Sequence, residues 1–343
     1  MRIMLVAPPW LSVPPGAYGG TETVIDELAR GFAGAGHDVL LCTTADSTCP
    51  VPRRAIFERG QGTTKADPSV ELSHIVYAYQ VACDFDVVHD HTLLGPQYAQ
   101  RFPNLAVVTT NHGPFDAEAR ARYQAISERV SLIAISAAQA RSSEGIPIAR
   151  VIHHGLDLRR FSFRGHPDDY VLFLGRMSPT KGAHRAARIA RATGQRLVIA
   201  AKMHDPAERR YFEECVRPLL SDDIVYVGEV GGREKLDLLG GARALLNPIT
   251  WPEPFGLVMI EALACGTPVF AFPNGAAPEI VAHGTTGFLC ADETDMAARL
   301  GQVHELDRRA CRASVETSFS TERMVAAHLE LFETVVHRAR LAA

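Results

Sequence analysis

Ala244-Leu-Leu-Asn-Pro-Ile-Thr-Trp-Pro-Glu253-Pro-Phe-Gly256-Leu-Val-Met-Ile-Glu261-Ala-Leu-Ala-Cys-Gly-Thr-Pro-Val269-Phe-Ala-Phe272 is the stretch whose reading decides the fold. Two short apolar runs, 244–246 and 269–272, have the length of buried strands. Between them Gly256 opens an apolar segment that reads as a helix to about residue 264. A strand, a loop, a covering helix and a second strand make a parallel unit.

The same alternation extends outward. Runs at 170–174, 197–200 and 224–227 precede this unit, with helical patterns between them. An earlier series stands apart: 3–7, 39–43, 87–88, 106–109 and 132–135. After the first of these, Val24, Ile25, Leu28 and Phe32 fall at helical spacing, and Gly36 stands where a C-terminal cap belongs. A polar stretch with Arg, Asp, Gly and Pro, 159–169, divides the two series. The expected organisation is a first domain over 1–155, a linker over 156–168 and a second domain over 169–318. A C-terminal helix over 319–343, with Met324, Val325, Leu329, Phe332, Val335 and Val336 on one stripe, is expected to pack back on the first domain. The fold class is α/β, two doubly wound Rossmann-like domains whose parallel sheets face a central cleft. Ligands of such sheets sit beyond the carboxyl ends of the strands.

Bulk properties agree with two ordinary cores. The chain has 343 residues, 47% hydrophobic and 22% charged, with a formal net charge of −4, a balance that gives no basic surplus for nucleic acid. Seven scattered cysteines without a C-x-x-C pair read as free thiols, and a cytoplasmic location is expected. No stretch approaches the ~20 apolar residues of a spanning helix; peripheral membrane contact is left open. The polar loop over 46–68 is long enough to suggest function.

The chemistry lies in the loops that follow strands. The N–H groups of Phe255, Gly256 and Leu257 fall at a helix start, where unpaired donors and the helix dipole attract phosphate. Gly256 lets the backbone approach closely. Glu253 stands just before the helix, and Glu261 about one and a half turns into it, near enough for a ribose edge. Gly175-Arg176-Met-Ser-Pro-Thr-Lys181-Gly182 offers a planar fork and a point charge to a diphosphate. Tyr18-Gly19-Gly20-Thr21-Glu22 is glycine-rich but is not G-x-G-x-x-G, which weighs against a dinucleotide oxidoreductase; Thr21 or Thr23 is expected to cap the helix after it. Thr110-Asn111-His112 ends another strand.

Glu253 and Glu261, with seven residues between them and Pro-Phe-Gly after the first, resemble the E-x7-E motif of family 4 of the retaining glycosyltransferases. Arg176 and Lys181 match that family's G-R-x4-K-G pattern, and the resemblance runs over essentially the whole chain. It implies the GT-B fold, a nucleotide-sugar donor and retention of anomeric configuration. It further implies that Glu261 binds the ribose hydroxyls, that Arg176 and Lys181 bind the diphosphate, and that Phe255, Gly256 and Leu257 hold the donor phosphate and sugar. Glu253 contacts the sugar ring, Gly20 belongs to the loop that closes over the donor phosphate, and His112 takes the place of the histidine facing the donor sugar. Val230, in Gly228-Glu229-Val230, is the expected base contact. Gly19, His91 and Asn111 fall on the acceptor side. His154 replaces the asparagine usual in the family's linker motif.

Other features are set aside. Asp84-Phe-Asp86 spells D-x-D but precedes a strand, away from the ligand end. His89 and His91 share one strand face yet lack further ligands at supporting spacing. No metal and no cofactor are expected. The expected reaction is transfer of a hexose-type sugar from a nucleoside diphosphate, UDP favoured and GDP retained, to a sugar, lipid or natural-product acceptor. A nucleotide-sugar 2-epimerase and a non-catalytic nucleotide-sugar binder of the same fold are the alternatives.

Overall fold

The computed structural model describes residues 1–17, 19–62 and 67–342, so Tyr18 of the glycine loop and four residues of the long loop lie outside the described residues. The chain forms two compact units, 1–155 with 321–343, and 156–320.

In the first unit the strands are β1 (Arg2–Val6), β2 (Asp38–Cys42), β3 (Arg53–Arg54), β4 (Val87–Asp90), β5 (Ala106–Asn111), β6 (Ser131–Ala134) and β7 (Arg150–Val151). They pair in parallel in the order β3-β2-β1-β4-β5-β6-β7. Burial on both faces explains why β1, β5 and β6 read as continuous apolar runs rather than alternations. One face packs Met4, Val6, Val88, Val107 and Leu132 against Ile75, Ala78, Tyr79 and Tyr123. Elsewhere the helix Gly20–Gly34 packs on the C-terminal helix Thr321–Ala342, with the Phe32 and Phe332 rings 5.4 Å apart and both fully buried. Each such ring contributes on the order of 2 kcal/mol of burial. Thr321 Oγ1 donates to Glu27 Oε2 at 2.7 Å and ties the start of the C-terminal helix to the same partner.

The helix Gly20–Gly34 starts ahead of the position read from sequence, and its capping differs. Gly19 is the N-cap and no side chain caps it. Thr23 therefore lies inside the first turn, where its hydroxyl donates to the Gly19 carbonyl at 2.7 Å. Neither Thr21 nor Thr23 is a cap.

In the second unit the strands are β8 (Val171–Arg176), β9 (Leu197–Lys202), β10 (Ile224–Gly228), β11 (Leu245–Asn247), β12 (Val269–Ala271) and β13 (Gly287–Leu289). They are again parallel, in the order β10-β9-β8-β11-β12-β13. Phe173, Ile199, Leu246 and Phe270 form a core with Ala186 and Ala190. Residues 156–168 are part of this unit. Arg164 N donates to Cys265 O at 3.1 Å and Asp168 N to Gly241 O at 2.7 Å. The buried Arg308 guanidinium donates to the carbonyls of Arg164, Gly240 and Ala242 and to Thr267 Oγ1.

Counted within each unit, the first six strands have the same order, 3-2-1-4-5-6. The order reverses between β1 and β4, and between β8 and β11. Loops leaving the carboxyl ends of these strands diverge and open a crevice there.

Candidate functional site

At the second unit's reversal, β8 ends on Arg176 and β11 on Asn247. The loops after them are joined by Thr250 N donating to Thr180 O at 3.2 Å. The loop after β11 is further pinned by Asn274 Nδ2 donating to Ile249 O at 2.9 Å, and by Ala276 N donating to Glu253 O at 3.0 Å. Gly275, at φ 57°, permits that approach, since a Cβ there would lie 2.1 Å from Glu253 O.

This framework brings Lys181 Nζ to 2.6 Å from Glu253 Oε2, with both side chains about 15% exposed. The same ammonium lies 5.7 Å from the centre of the Trp251 ring, a second stabilising contact for a cation. Gly256 follows in the left-handed region, φ 98° and ψ 68°, and starts the helix Leu257–Ala264. Such a start leaves its first N–H groups without intrahelical partners. Phe255 is buried edge-on to Phe319 at 6.0 Å, and Leu257 is half-buried. Glu261 is buried on this helix, and its Oε1 lies 2.6 Å from Lys235 Nζ on the helix Gly232–Gly241. Val230 is buried between β10 and that helix. Arg176 is about half exposed, its Nε 3.7 Å from Glu208 Oε1.

The first unit's counterpart is built differently. His91 directly follows β4 and His112 directly follows β5, and the neighbouring strands bring His91 Nδ1 to 2.9 Å from His112 Nε2. His89 packs on His91 at a centroid distance of 4.0 Å, His328 on His89 at 5.2 Å, and His154 stacks on His112 at 5.4 Å. Burial, reinforced by repulsion between neighbouring rings, pushes His89, His91 and His154 well below the usual imidazole range. His112 and His328 are pushed down to about 4, burial again being the larger cause. The cluster is therefore neutral at pH 7. Asn111 Oδ1 accepts from Gly113 N at 3.1 Å, and Gln139 Nε2 donates to the carbonyls of Asn111 and Gly113. Gly19 and Gly20 open the helix after β1. Of the D-x-D, Asp86 lies at the amino end of β4, accepting from Arg2 N at 2.8 Å and pairing with Arg340 at 2.9 Å. Among the described residues no three His, Cys, Asp or Glu side chains are placed to hold a metal ion, and no helix is long and apolar enough to cross a membrane.

Residues 157–314 match the family described as Glycosyl transferases group 1, and residues 18–160 match Glycosyltransferase Family 4. The chain belongs to the group 1 glycosyltransferases. A relative over nearly its full length is the glycogen synthase of Mycobacterium tuberculosis, 27% identical and spanning 97% of this chain and 94% of that protein. A solved glycosyltransferase involved in avilamycin A biosynthesis superposes with a TM-score of 0.73 at 27% identity, covering 98% of both chains. Anabaena HepE, solved in complex with UDP and glucose, superposes with a TM-score of 0.78 at 19% identity, over 97% of this chain and all of that one. This glycosyltransferase thus has the GT-B fold, two parallel-sheet α/β domains of seven and six strands.

The sequence-nominated residues fall into two groups. Arg176, Lys181, Val230, Glu253, Phe255, Gly256, Leu257 and Glu261 lie around the carboxyl edge of the second unit's sheet. Gly19, Gly20, His91, Asn111 and His112 lie around that of the first. Three features of this glycosyltransferase were not nominated: Lys235, which holds Glu261; Gln139, which fixes both flanks of His112; and the rings of His89, His154 and His328. Lys235 sits in a helical segment whose charges look solvated, and His328 on the stripe of an otherwise apolar helix, so neither carries a local signal.

Proposed function

We propose that this glycosyltransferase moves a hexose-type sugar from a nucleoside diphosphate to an acceptor hydroxyl, retaining anomeric configuration and without using a metal ion. The observation that carries the reading is the helix start at Gly256, flanked by two glutamates that are each held by a lysine at 2.6 Å. The free N–H groups after Gly256 receive a phosphate oxygen, and Gly256 supplies the room. Glu261 accepts from the ribose hydroxyls, its carboxylate oriented by Lys235 at 2.6 Å. Arg176 and Lys181 meet the diphosphate. As the glycosidic bond to the leaving phosphate lengthens, negative charge grows on that phosphate. Fixed donors and cations aimed at it lower the barrier more in the transition state than in the ground state, and this is the work a metal would otherwise do. Glu253, beside Lys181, contacts the sugar ring. The leaving phosphate takes the acceptor's proton as the acceptor attacks from the same face, so no enzyme base is needed. The UDP-bound Anabaena relative supports uridine as the base, with GDP as the alternative.

Thermal unfolding against UDP, GDP, ADP and their glucose or mannose conjugates, without added metal, tests this. One nucleotide is expected to stand out, with about 2.7 kcal/mol of stabilisation at a hundredfold excess over its Kd, and to lose its effect in Glu261→Ala and Arg176→Ala. A folded protein that responds to no nucleotide would sink the reading.

A further inference from the structure

The hydrogen bond between His91 Nδ1 and His112 Nε2 joins two neutral rings, so one nitrogen donates and the other accepts. The other nitrogen of His91, Nε2, decides which. It is buried and meets no hydrogen-bonding atom among the described residues. An orphaned buried N–H is rarer in folded proteins than an under-satisfied acceptor, because a buried donor left unpaired gives up its hydration and gains nothing in return. His74, in the same unit, shows the pattern where chemistry allows no choice. Its Nε2 lies 3.0 Å from the carbonyl oxygen of Ala7, which can only accept, so that nitrogen bears the proton. Its buried, unpartnered Nδ1 is then the bare one. By the same rule the proton of His91 is on Nδ1.

We propose that His91 is a positioning residue: it donates Nδ1–H to His112 Nε2, fixes His112 as the Nδ1–H tautomer, and makes His112 a hydrogen-bond donor rather than a base. The surroundings hold this assignment in place. Gln139 anchors the backbone on both sides of His112, and the His154 ring stacks on it. His91 is itself packed against His89, whose Nε2 lies 2.8 Å from Thr110 Oγ1. His112, the half-buried member of the pair, then offers its remaining N–H to an oxygen of a ligand. That this oxygen belongs to the donor sugar rests on the function proposed above; the tautomer does not.

The test is a long-range proton–nitrogen correlation spectrum of the full chain, labelled with 15N-histidine at neutral pH, with His112 assigned through His112→Gln. The wild type is expected to show His112 protonated at Nδ1 and bare at Nε2. His91→Asn, which keeps an N–H near the Nδ1 position, is expected to preserve that spectrum, whereas His91→Phe is expected to give a tautomer mixture. Affinity for UDP-glucose is expected to fall by roughly fivefold in His91→Phe and to return in His91→Asn, with UDP affinity unchanged in both, as the loss of one net hydrogen bond would give. A wild-type His112 bearing its proton on Nε2, or a folded His91→Phe with an unchanged His112 tautomer, overturns the proposal, and the wild-type spectrum decides even if His91→Phe does not fold. The expected tautomer in a protein that binds neither UDP nor UDP-glucose supports the positioning role and removes the functional reading alone.

Discussion

The two units share a strand order and differ in how they treat charge. At the carboxyl edge of the first sheet, five histidine rings are gathered and all are kept neutral. At the carboxyl edge of the second, two glutamates are each paired with a lysine 2.6 Å away. Topology thus sets where the reactive side chains lie, and side-chain chemistry sets what they do there. Neutral rings hold a hydrogen-bonding geometry without attracting ions. Ion pairs hold charge ready to be shared with an anionic ligand such as a diphosphate, with little reorganisation when it arrives.

Acid should separate the units most strongly. A histidine whose folded pKa is depressed contributes full stability above the unfolded value of about 6.5 and loses it as pH falls toward the folded value. For His74, His112 and His328, each pushed down to about 4 mainly by burial, the window is pH 6.5 to 4. Between pH 7 and pH 5 each costs about 2 kcal/mol. Asp90 works against them: burial raises its carboxyl to about 6, so the folded state takes up a proton first and regains about 1.4 kcal/mol at pH 5. These four groups alone give a net loss on the order of 4 kcal/mol in the first unit, and His89, His91 and His154, also pushed well down by burial, add to it. Hydrogen exchange followed by mass spectrometry should show β1, β4 and β5 losing protection before β8, β11 and β12 as pH is lowered. Equal loss in both sheets would mean that the histidine cluster is not the acid-sensitive element.

The second unit should be sensitive to loss of a partner instead. Glu261 is almost fully buried and Lys235 about a quarter exposed, so Lys235→Met leaves a buried carboxylate unpaired. The expected cost is about 3 kcal/mol, the low end for a broken buried pair because one member still reaches solvent. Urea unfolding measures it. The double variant Lys235→Met, Glu261→Met should recover most of the loss, since apolar replacement of a whole buried pair is often close to neutral. A single variant as stable as the wild type would place Glu261 among the solvated carboxylates and erase the contrast with the first unit.

How much of this was legible in the sequence follows from the range of each interaction. β1, β2, β5, β6, β8, β9, β10 and β12 are short apolar runs and read directly, as does the helix stop at Gly36, which holds φ 86°. β3 does not read as a strand, because it is two arginines in a polar loop, and β13 is three residues opened by Gly287. Thr23 reads as a cap because its residue type is right, while the helix begins at Gly20 and turns the same hydroxyl inward. At the candidate site, the segment from Glu253 to Glu261 is legible because all its parts lie within one loop and helix. The pairing of Lys235 with Glu261 spans 26 positions and that of Lys181 with Glu253 spans 72. Such contacts are made by strand order, and the histidine cluster likewise needs β4, β5, residue 154 and the C-terminal helix to meet.

The smallest expected effect sharpens the comparison at the two helix starts. The first unit's helix is capped by Gly19 at φ 172°, an extended backbone where glycine is called for by the Pro15 ring 2.7 Å from a would-be Cβ, whereas the second unit's is capped by Gly256 at φ 98°, where the backbone itself calls for it. An alanine at Gly256 must hold a left-handed conformation, at roughly 1–2 kcal/mol. Its Cβ would crowd the Met259 Cε at 2.7 Å, the far end of a flexible side chain that can move aside, and would meet the Glu253 Cγ at an ordinary 3.6 Å. Gly256→Ala should therefore fold, with a midpoint lower by a few degrees, and its nucleotide-dependent shift should shrink more than its stability does, because the same backbone turn presents the phosphate-facing N–H groups. Thermal unfolding with and without UDP reads both quantities. A variant that loses stability but keeps the full UDP shift would show that the left-handed turn serves the fold alone, and that phosphate is held by Arg176 and Lys181 without the helix start.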